Sequence, residues 1–234
     1  MARAARPGPQ LAQRPWIRGA VFLLALLPLA RIVWLGMNGR LGANPIETLT
    51  RASGDWTLYF LCVTLAMTPL RQLTGQSGWL KLRRMLGLFC FFYACLHFLC
   101  FLWFDHFFDI AEMAKDVLKR PFITVGFVAF VLMIPLAASS NSFAIRRLGG
   151  RQWQSLHRSS YAIAILAVVH FWWLVKADLL EPTIYALILA ALLGARAWWR
   201  ELERRRQLSM PPPARHLERP VIRIVPKGPD ATGR

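Results

Sequence analysis

Six apolar runs, each close to the length of a membrane-crossing helix, restrict the fold of this chain more than any other feature. They cover residues 16–37, 56–70, 85–104, 122–138, 156–175 and 182–199. A bilayer core about 30 Å thick is crossed by about 20 apolar residues in a helix. Because backbone groups in lipid must be hydrogen-bonded within the segment, each run is predicted to be helical. The sequence therefore predicts an all-α, polytopic membrane protein with a bundle of six transmembrane helices.

Composition and charge agree with this class. The 234 residues are 56% hydrophobic, which is more apolar than an ordinary soluble domain. The net charge of +17 is compatible with nucleic-acid binding, but the basic residues lie in the connections between the apolar runs. There they are expected to orient the helices and to contact anionic lipid headgroups. We therefore expect membrane lipid, and no nucleic acid, as the partner of this charge.

The charge of the connections alternates along the chain. The amino-terminal segment, the second and fourth connections and the carboxy-terminal segment are basic, whereas the other three connections are mixed or acidic. The positive-inside rule then places both termini in the cytoplasm. The predicted domains are a disordered basic tail (1–15), the six-helix membrane domain (16–200) and a charged, Pro-rich cytoplasmic tail (201–234). A short interfacial helix is expected in the third connection.

Two histidines lie inside apolar runs, where an ionisable residue marks a functional site. His97 is in the third run and His170 is in the fifth, and both of these helices are predicted to enter from the cytoplasm. At 1.5 Å per residue, His97 lies about 18 Å and His170 about 21 Å along its helix. Such matching depth is what a haem iron between two imidazoles requires. The alternative for each residue is a packing histidine bonded to a neighbouring helix.

The other histidines are less informative. His157 precedes His170 by thirteen positions, which places it about 20 Å nearer the cytoplasm. The third run has no histidine at that level, so His157 would need an unusual partner for a second haem, bind another cofactor, or simply lie at the interface. His106, beside Asp105, is expected to be solvated or paired with a carboxylate. His216, in the polar tail, carries no signal.

A haem in the outer half of the membrane would be about 20 Å from the cytoplasmic face. Electrons from inside would then need a second carrier, and basic residues near the cytoplasmic connections could hold its phosphate. The alternative is that these residues only orient helices and touch lipid headgroups. The residues concerned are Arg71, Lys81, Arg83, Arg84, Arg146, Arg147, Arg151 and Arg158.

Six short motifs occur in the same order and with similar spacing as in a known family. They are LGANPIE (41–47), TPLR (68–71), RRMLGL (83–88), RPF (120–122), WQSLHR (153–158) and HFW (170–172). Together with His97, they make residues 16–200 resemble the haem-binding membrane subunits of protein-methionine-sulfoxide reductase systems, the MsrQ or YedZ family. This family belongs to the ferric-reductase-like transmembrane domains.

The resemblance implies a multi-pass protein of the bacterial inner (plasma) membrane that carries haem b and FMN. Such a subunit takes electrons from a cytosolic flavin reductase or from quinone. It passes them to a periplasmic molybdopterin-dependent methionine-sulfoxide reductase, which repairs oxidised envelope proteins.

The resemblance also assigns residues. It implies haem ligation by His97, His170 and His157, with His97 and His170 as axial ligands of the iron. Arg83, Arg84, Arg151 and Arg158 are then candidates for holding the FMN phosphate. Larger ferric reductases and NADPH oxidases have two histidines on the equivalent of the third helix, whereas this chain has one.

The predicted function is electron transfer, with the substrate chemistry in the partner and no general acid or base in this chain. No G-x-G-x-x-G follows a predicted strand, so electrons must come from another protein or a membrane carrier. One alternative is a stand-alone ferric or quinone reductase that uses the same haem. A non-redox alternative is a small proton-coupled transporter whose histidines relay protons.

Overall fold

The computed structural model describes residues 15–175 and 179–209, and over these residues the chain is helical, without strands. The predicted all-α class is therefore confirmed there, while predictions about residues 1–14, 176–178 and 210–234 lie outside the described residues. A π-helical segment, Phe101–Asp105, continues the third helix and is called the π turn. The helices are α1 (Pro15–Met37), α2 (Pro45–Thr74), α3 (Trp79–Cys100), α4 (Ile110–Lys119), α5 (Pro121–Ala138), α6 (Ser142–His157), α7 (Ser159–Leu174) and α8 (Leu180–Ser209).

Helix ends follow local capping chemistry. The side chain of Asn44 accepts a hydrogen bond from the Glu47 N–H at 3.2 Å, and Pro45 occupies the first turn of α2. The helix ends at Gly75, which adopts the left-handed conformation with φ 69°. The prediction that the second helix begins near residue 56 was therefore wrong, because this cap starts the helix well before the apolar run.

Four helices of the described chain are long and apolar enough to cross a membrane. They are α1, α3 together with the π turn, α5 and α8. Helix α2 carries more polar residues, and α7 has only 16 residues. A multi-pass membrane protein is thus supported, whereas the six-span count stays a prediction.

Contacts between helices fix their relative directions. Helices α1 and α3 run the same way, α2 runs against α3, and α8 runs against α7. The contacts that establish this are Phe22–Phe89 and Ala25–Tyr93 (α1 with α3), Thr57–Cys90 and Thr50–His97 (α2 with α3), and Tyr185–Phe171 and Arg196–Tyr161 (α8 with α7). The ring contacts Phe98–Phe127 and Phe91–Phe130 likewise show that α5 runs against α3. Direction therefore alternates along α1, α2, α3 and α5, and again from α7 to α8, as in an up-and-down bundle.

Tyr93 stands at the centre of the core and joins α3 to α1. Its side chain is fully buried and its hydroxyl donates to the Ala25 carbonyl at 2.9 Å. The same oxygen accepts from the Leu29 N–H at 3.2 Å. Ala25 and Leu29 are ordinary hydrogen-bonding partners in an α-helix, so the hydroxyl is inserted into the helical ladder of α1 beside Pro28.

The connection after α3 carries the predicted short helix. Helix α4 is capped by Asp109, whose side chain accepts from the N–H groups of Ala111 and Glu112 at 3.0 Å. Phe107 and Phe108, just before this cap, have φ values of 45° and 65°. That conformation is costly for bulky residues and marks a tight reversal between the π turn and α4.

Contacts divide the chain into two compact units, 1–197 and 198–234. Within the second unit, the described part is the charged end of α8. There Glu201 pairs with Arg205 at 2.9 Å and with Arg204 at 3.6 Å. The helix thus continues past the predicted end of the sixth run at residue 199 to Ser209.

Candidate functional site: a paired-histidine centre

Helices α3 and α7 bring the side chains of His97 and His170 next to each other. The two imidazole ring centres are 6.3 Å apart, and the ring planes make an angle of 77°. Two imidazoles that share one metal ion, with metal–nitrogen bonds of about 2 Å, have ring centres about 6 Å apart. The spacing would therefore suit two imidazoles that hold one metal ion between them.

Each ring is held by a backbone carbonyl of a neighbouring helix. Nδ1 of His97 donates to the Thr50 carbonyl at 2.9 Å and lies 3.4 Å from the Ser53 hydroxyl. Nδ1 of His170 donates to the Phe122 carbonyl at 2.6 Å. A carbonyl only accepts, so the proton of each neutral ring is on Nδ1 and the lone pair is on Nε2. Metal-binding histidines are commonly oriented in this way.

The Nε2 atoms remain available for a ligand. Within residues 15–175 and 179–209, neither Nε2 has a hydrogen-bond partner. In the same ranges, no group of three or more His, Cys, Asp or Glu side chains is placed to hold a metal ion. A pair of imidazoles supplies only two ligands, and a porphyrin supplies the other four positions around iron. The donor set therefore fits haem better than a bare metal ion.

Two glycines make room for the rings. A Cβ atom built at Gly126 would lie 2.7 Å from Nδ1 of His170, and one built at Gly54 would lie 3.2 Å from Nδ1 of His97. Ordinary contacts of a Cβ begin near 3.4 Å. Each glycine follows by four residues the carbonyl that holds the ring, Thr50 or Phe122. Sequence reasoning missed both glycines, because their role depends on which backbone carbonyl holds each ring, and the sequence does not show this.

His157 is not part of the pair. It ends α6, where its ring stacks on Trp153 at 4.0 Å and its Nε2 lies 3.1 Å from the Ser139 hydroxyl. The predicted role of His157 in haem binding stays a prediction.

His106 was predicted to be solvated or paired with a carboxylate, and the second of these alternatives is confirmed. Its ring is 8% exposed and packs on Phe101 with ring centres 4.6 Å apart. The nearby carboxylate belongs to Asp116, whose oxygen is 3.5 Å from Nε2, rather than to the adjacent Asp105. The reason is that α4 folds back over the π turn and covers the imidazole.

The arginines predicted to hold a phosphate are not equivalent. Arg84, Arg151 and Arg158 are exposed, while Arg83 is half-buried and lies at the level of Thr68, which binds Arg196 of α8. Sequence reasoning missed Arg196. Its signal was a single charged residue within the sixth apolar run, which is rare and usually functional.

Comparisons with known proteins agree with this geometry. A family model described as "Ferric reductase like transmembrane component" matches residues 53–168. Three similar proteins are each named "Protein-methionine-sulfoxide reductase heme-binding subunit MsrQ".

The relative from Herminiimonas arsenicoxydans is 56% identical over 193 residues, 82% of this chain and 88% of its own length. The relative from Azospira oryzae is 54% identical over 218 residues, 93% of this chain and 91% of its own. The relative from Bordetella pertussis is 57% identical over 188 residues, which are 79% of this chain and 91% of its own length. No solved structure matches the chain significantly. The predicted resemblance is therefore confirmed, and the chain belongs to the MsrQ heme-binding subunits of the ferric-reductase-like transmembrane family.

Proposed function

We propose that this chain is a haem b electron-transfer subunit that delivers electrons to a periplasmic, molybdopterin-dependent methionine-sulfoxide reductase. The observation that carries the proposal is the pair of imidazoles 6.3 Å apart, each with Nδ1 held by a carbonyl. The names of the relatives support heme binding and an association with methionine-sulfoxide reductase.

In this proposal His97 and His170 hold the iron through their Nε2 atoms. When bound, haem b supplies a one-electron carrier. The carbonyls of Thr50 and Phe122 keep each Nδ1 protonated and fix the ring planes. Aromatic side chains beside the site, including the stacked rings of Phe98 and Phe130 at 4.7 Å, keep its surroundings apolar. The chain thus orients its ligands and excludes water, and the sulfoxide chemistry belongs to the partner.

We also propose six spans with both termini in the cytoplasm of a bacterium with an inner membrane, and a membrane domain near residues 16–200. The alternating helix directions and the alternating charge of the connections support this layout. With this orientation, the paired-histidine centre lies in the periplasmic half. That is the side from which a periplasmic partner would accept electrons.

FMN is the second carrier in this proposal, with a cytosolic flavin reductase or quinone as the electron donor. Arg83 lies fourteen residues before His97 on α3, which is about 21 Å by helix rise. A carrier near Arg83 would therefore shorten the distance that electrons must cross from the cytoplasmic face. Arg83 is the predicted phosphate ligand that this idea favours, because the other three predicted arginines are exposed.

Absorption spectra of the purified protein test the haem assignment. We expect a reducible haem b spectrum in the unsubstituted chain, and loss of most of the haem in His97→Ala and in His170→Ala. His216→Ala serves as the control and should keep the haem. Full haem retention in both variants of the pair would refute the assignment, and a colourless unsubstituted protein would favour transport instead.

Partner transfer requires a second measurement. The reduced protein should be reoxidised by a periplasmic molybdopterin reductase with methionine sulfoxide present, and not by the sulfoxide alone. Reoxidation by ferric iron or quinone only, with no effect of the reductase, would favour the stand-alone reductase.

A further inference from the structure

Arg196 of α8 is a buried cation. It contacts Tyr161, which lies at the end of α7 opposite to His170. Its residue is 7% exposed, and its guanidinium binds groups from two other helices. Nη1 donates to the Tyr161 hydroxyl at 2.7 Å, and Nη2 donates to the Thr68 hydroxyl at 2.7 Å and to the Leu65 carbonyl at 3.0 Å. The Nε–H is buried and has no hydrogen-bond partner among the described residues. All the partners it does have are neutral, so the charge itself is uncompensated.

Arg83 adds a second positive charge to the same region. It comes from α3 and is half-buried. Because α2 runs against α3 and Gly87 lies beside Thr64, Arg83 is one turn away at the level of Thr68, which binds Arg196. Over residues 15–175 and 179–209, neither arginine forms an ion pair with a carboxylate. Like charges in an apolar environment repel strongly, and an unpaired buried charge is expensive. The protein tolerates this arrangement most easily if an anion binds between the two.

We propose that Arg83 and Arg196 form a binding site for a phosphate group, here called the Arg83–Arg196 site. Guanidinium groups match phosphate oxygens in geometry, and two of them balance the charge of about −1.5 to −2 on a phosphate monoester. The hydroxyl of Thr68 and the ring of Tyr161, 5.2 Å from the Arg196 guanidinium carbon, hold that side chain in place. The phosphate could be the monoester of a flavin nucleotide or the diester of a phospholipid headgroup, because both offer anionic phosphate oxygens to a guanidinium.

The position of the site gives it a role in bringing electrons to the paired-histidine centre. This role rests on the proposed function, whereas the binding of phosphate does not. Tyr161 and His170 lie nine residues apart on α7, which corresponds to about 14 Å of helix. A flavin anchored by its phosphate at this site would therefore lie between the cytoplasmic face and the paired-histidine centre.

The test uses the full chain, purified in mild detergent, with the variants Arg83→Gln and Arg196→Gln. Flavin released on denaturation is measured by fluorescence, retained phospholipid by native mass spectrometry, and haem by absorption. In each variant we expect the amount of either bound flavin or bound phospholipid to fall at least about tenfold. The reason is that each substitution removes charge-assisted hydrogen bonds to the phosphate. The control is Arg18→Gln, which removes one exposed charge from α1 and should change neither.

Each outcome decides the question. Loss of flavin assigns the site to a flavin phosphate, and loss of phospholipid assigns it to a headgroup. Unchanged flavin and phospholipid in both variants would overturn the proposal, even if stability falls, because Arg196 would then only connect helices. If Arg196→Gln does not accumulate, Arg83→Gln and Thr68→Val provide the same test. Haem absorption is read separately, so failure of the haem assignment would not be confused with failure of this site.

Discussion

Replacing Gly126 with alanine tests whether helix α5 controls the orientation of His170, a proposed haem ligand. The new methyl group would lie 2.7 Å from Nδ1, 2.8 Å from Cε1 and 3.0 Å from Cγ of His170. The closest of these distances is shorter than an ordinary contact by about 0.7 Å. The imidazole is rigid and its atoms are not the end of a flexible chain, so the ring or the helix must move.

Two effects determine how much haem affinity the Gly126→Ala variant should lose. Overpacking a close contact costs about 1–3 kcal/mol. Movement of the ring also weakens the 2.6 Å hydrogen bond from Nδ1 to the Phe122 carbonyl, at about 0.5–1.5 kcal/mol. A combined loss of about 3 kcal/mol corresponds to a haem affinity lower by about 150-fold. Alanine is also a better helix former than glycine by about 1 kcal/mol, so the apoprotein should not be destabilised through helix propensity.

The assay is haem titration of the apoprotein in detergent, followed by the Soret band, with thermal unfolding as a check on the fold. Gly87→Ala is the matched control, because its new methyl group would meet only Thr64 Cγ2 at an ordinary 3.6 Å. The haem affinity of Gly54→Ala should lie between those of the other two variants, since its new methyl group would lie 3.2 Å from the nearest atoms of His97. Equal haem affinity in the Gly126 and Gly87 variants would refute the reasoning.

A further prediction concerns the core of the bundle. Tyr93→Phe should lower the free energy of unfolding by about 1–3 kcal/mol, because the Ala25 carbonyl and the Leu29 N–H lose their buried partner. An unchanged denaturation midpoint would contradict this role.

The bundle could be predicted from hydropathy, but several helix ends could not. Apolar runs report which residues can face lipid, whereas helix ends depend on capping groups. Thus α2 begins at Pro45, behind the Asn44 cap, inside a segment whose Gly, Asn and Pro residues favour turns. At the other end of the chain, α8 continues to Ser209 because Glu201 pairs with Arg205 one turn later.

The histidine pair could be predicted because helix direction and rise convert sequence position into depth. The groups that hold the rings could not, since Thr50 and Phe122 use backbone carbonyls, which every residue possesses. Arg196 carries a visible signal, a lone charge in an apolar run, but its burial depends on how α8 packs. Its neutral partners come from α2 and α7, which the sequence does not place beside it.

The two halves of the centre repeat one local arrangement. In each, a carbonyl on an earlier helix accepts the Nδ1–H of the histidine, and a glycine four residues later clears space for the ring. The carbonyl at position i normally bonds to the N–H at i+4, so a side chain at i+4 would lie directly over the approach of the imidazole. The orientation of His97 therefore depends on α2, and that of His170 depends on α5. Consequently, the paired arrangement of the two imidazoles depends on the packing of α2 on α3 and of α5 on α7.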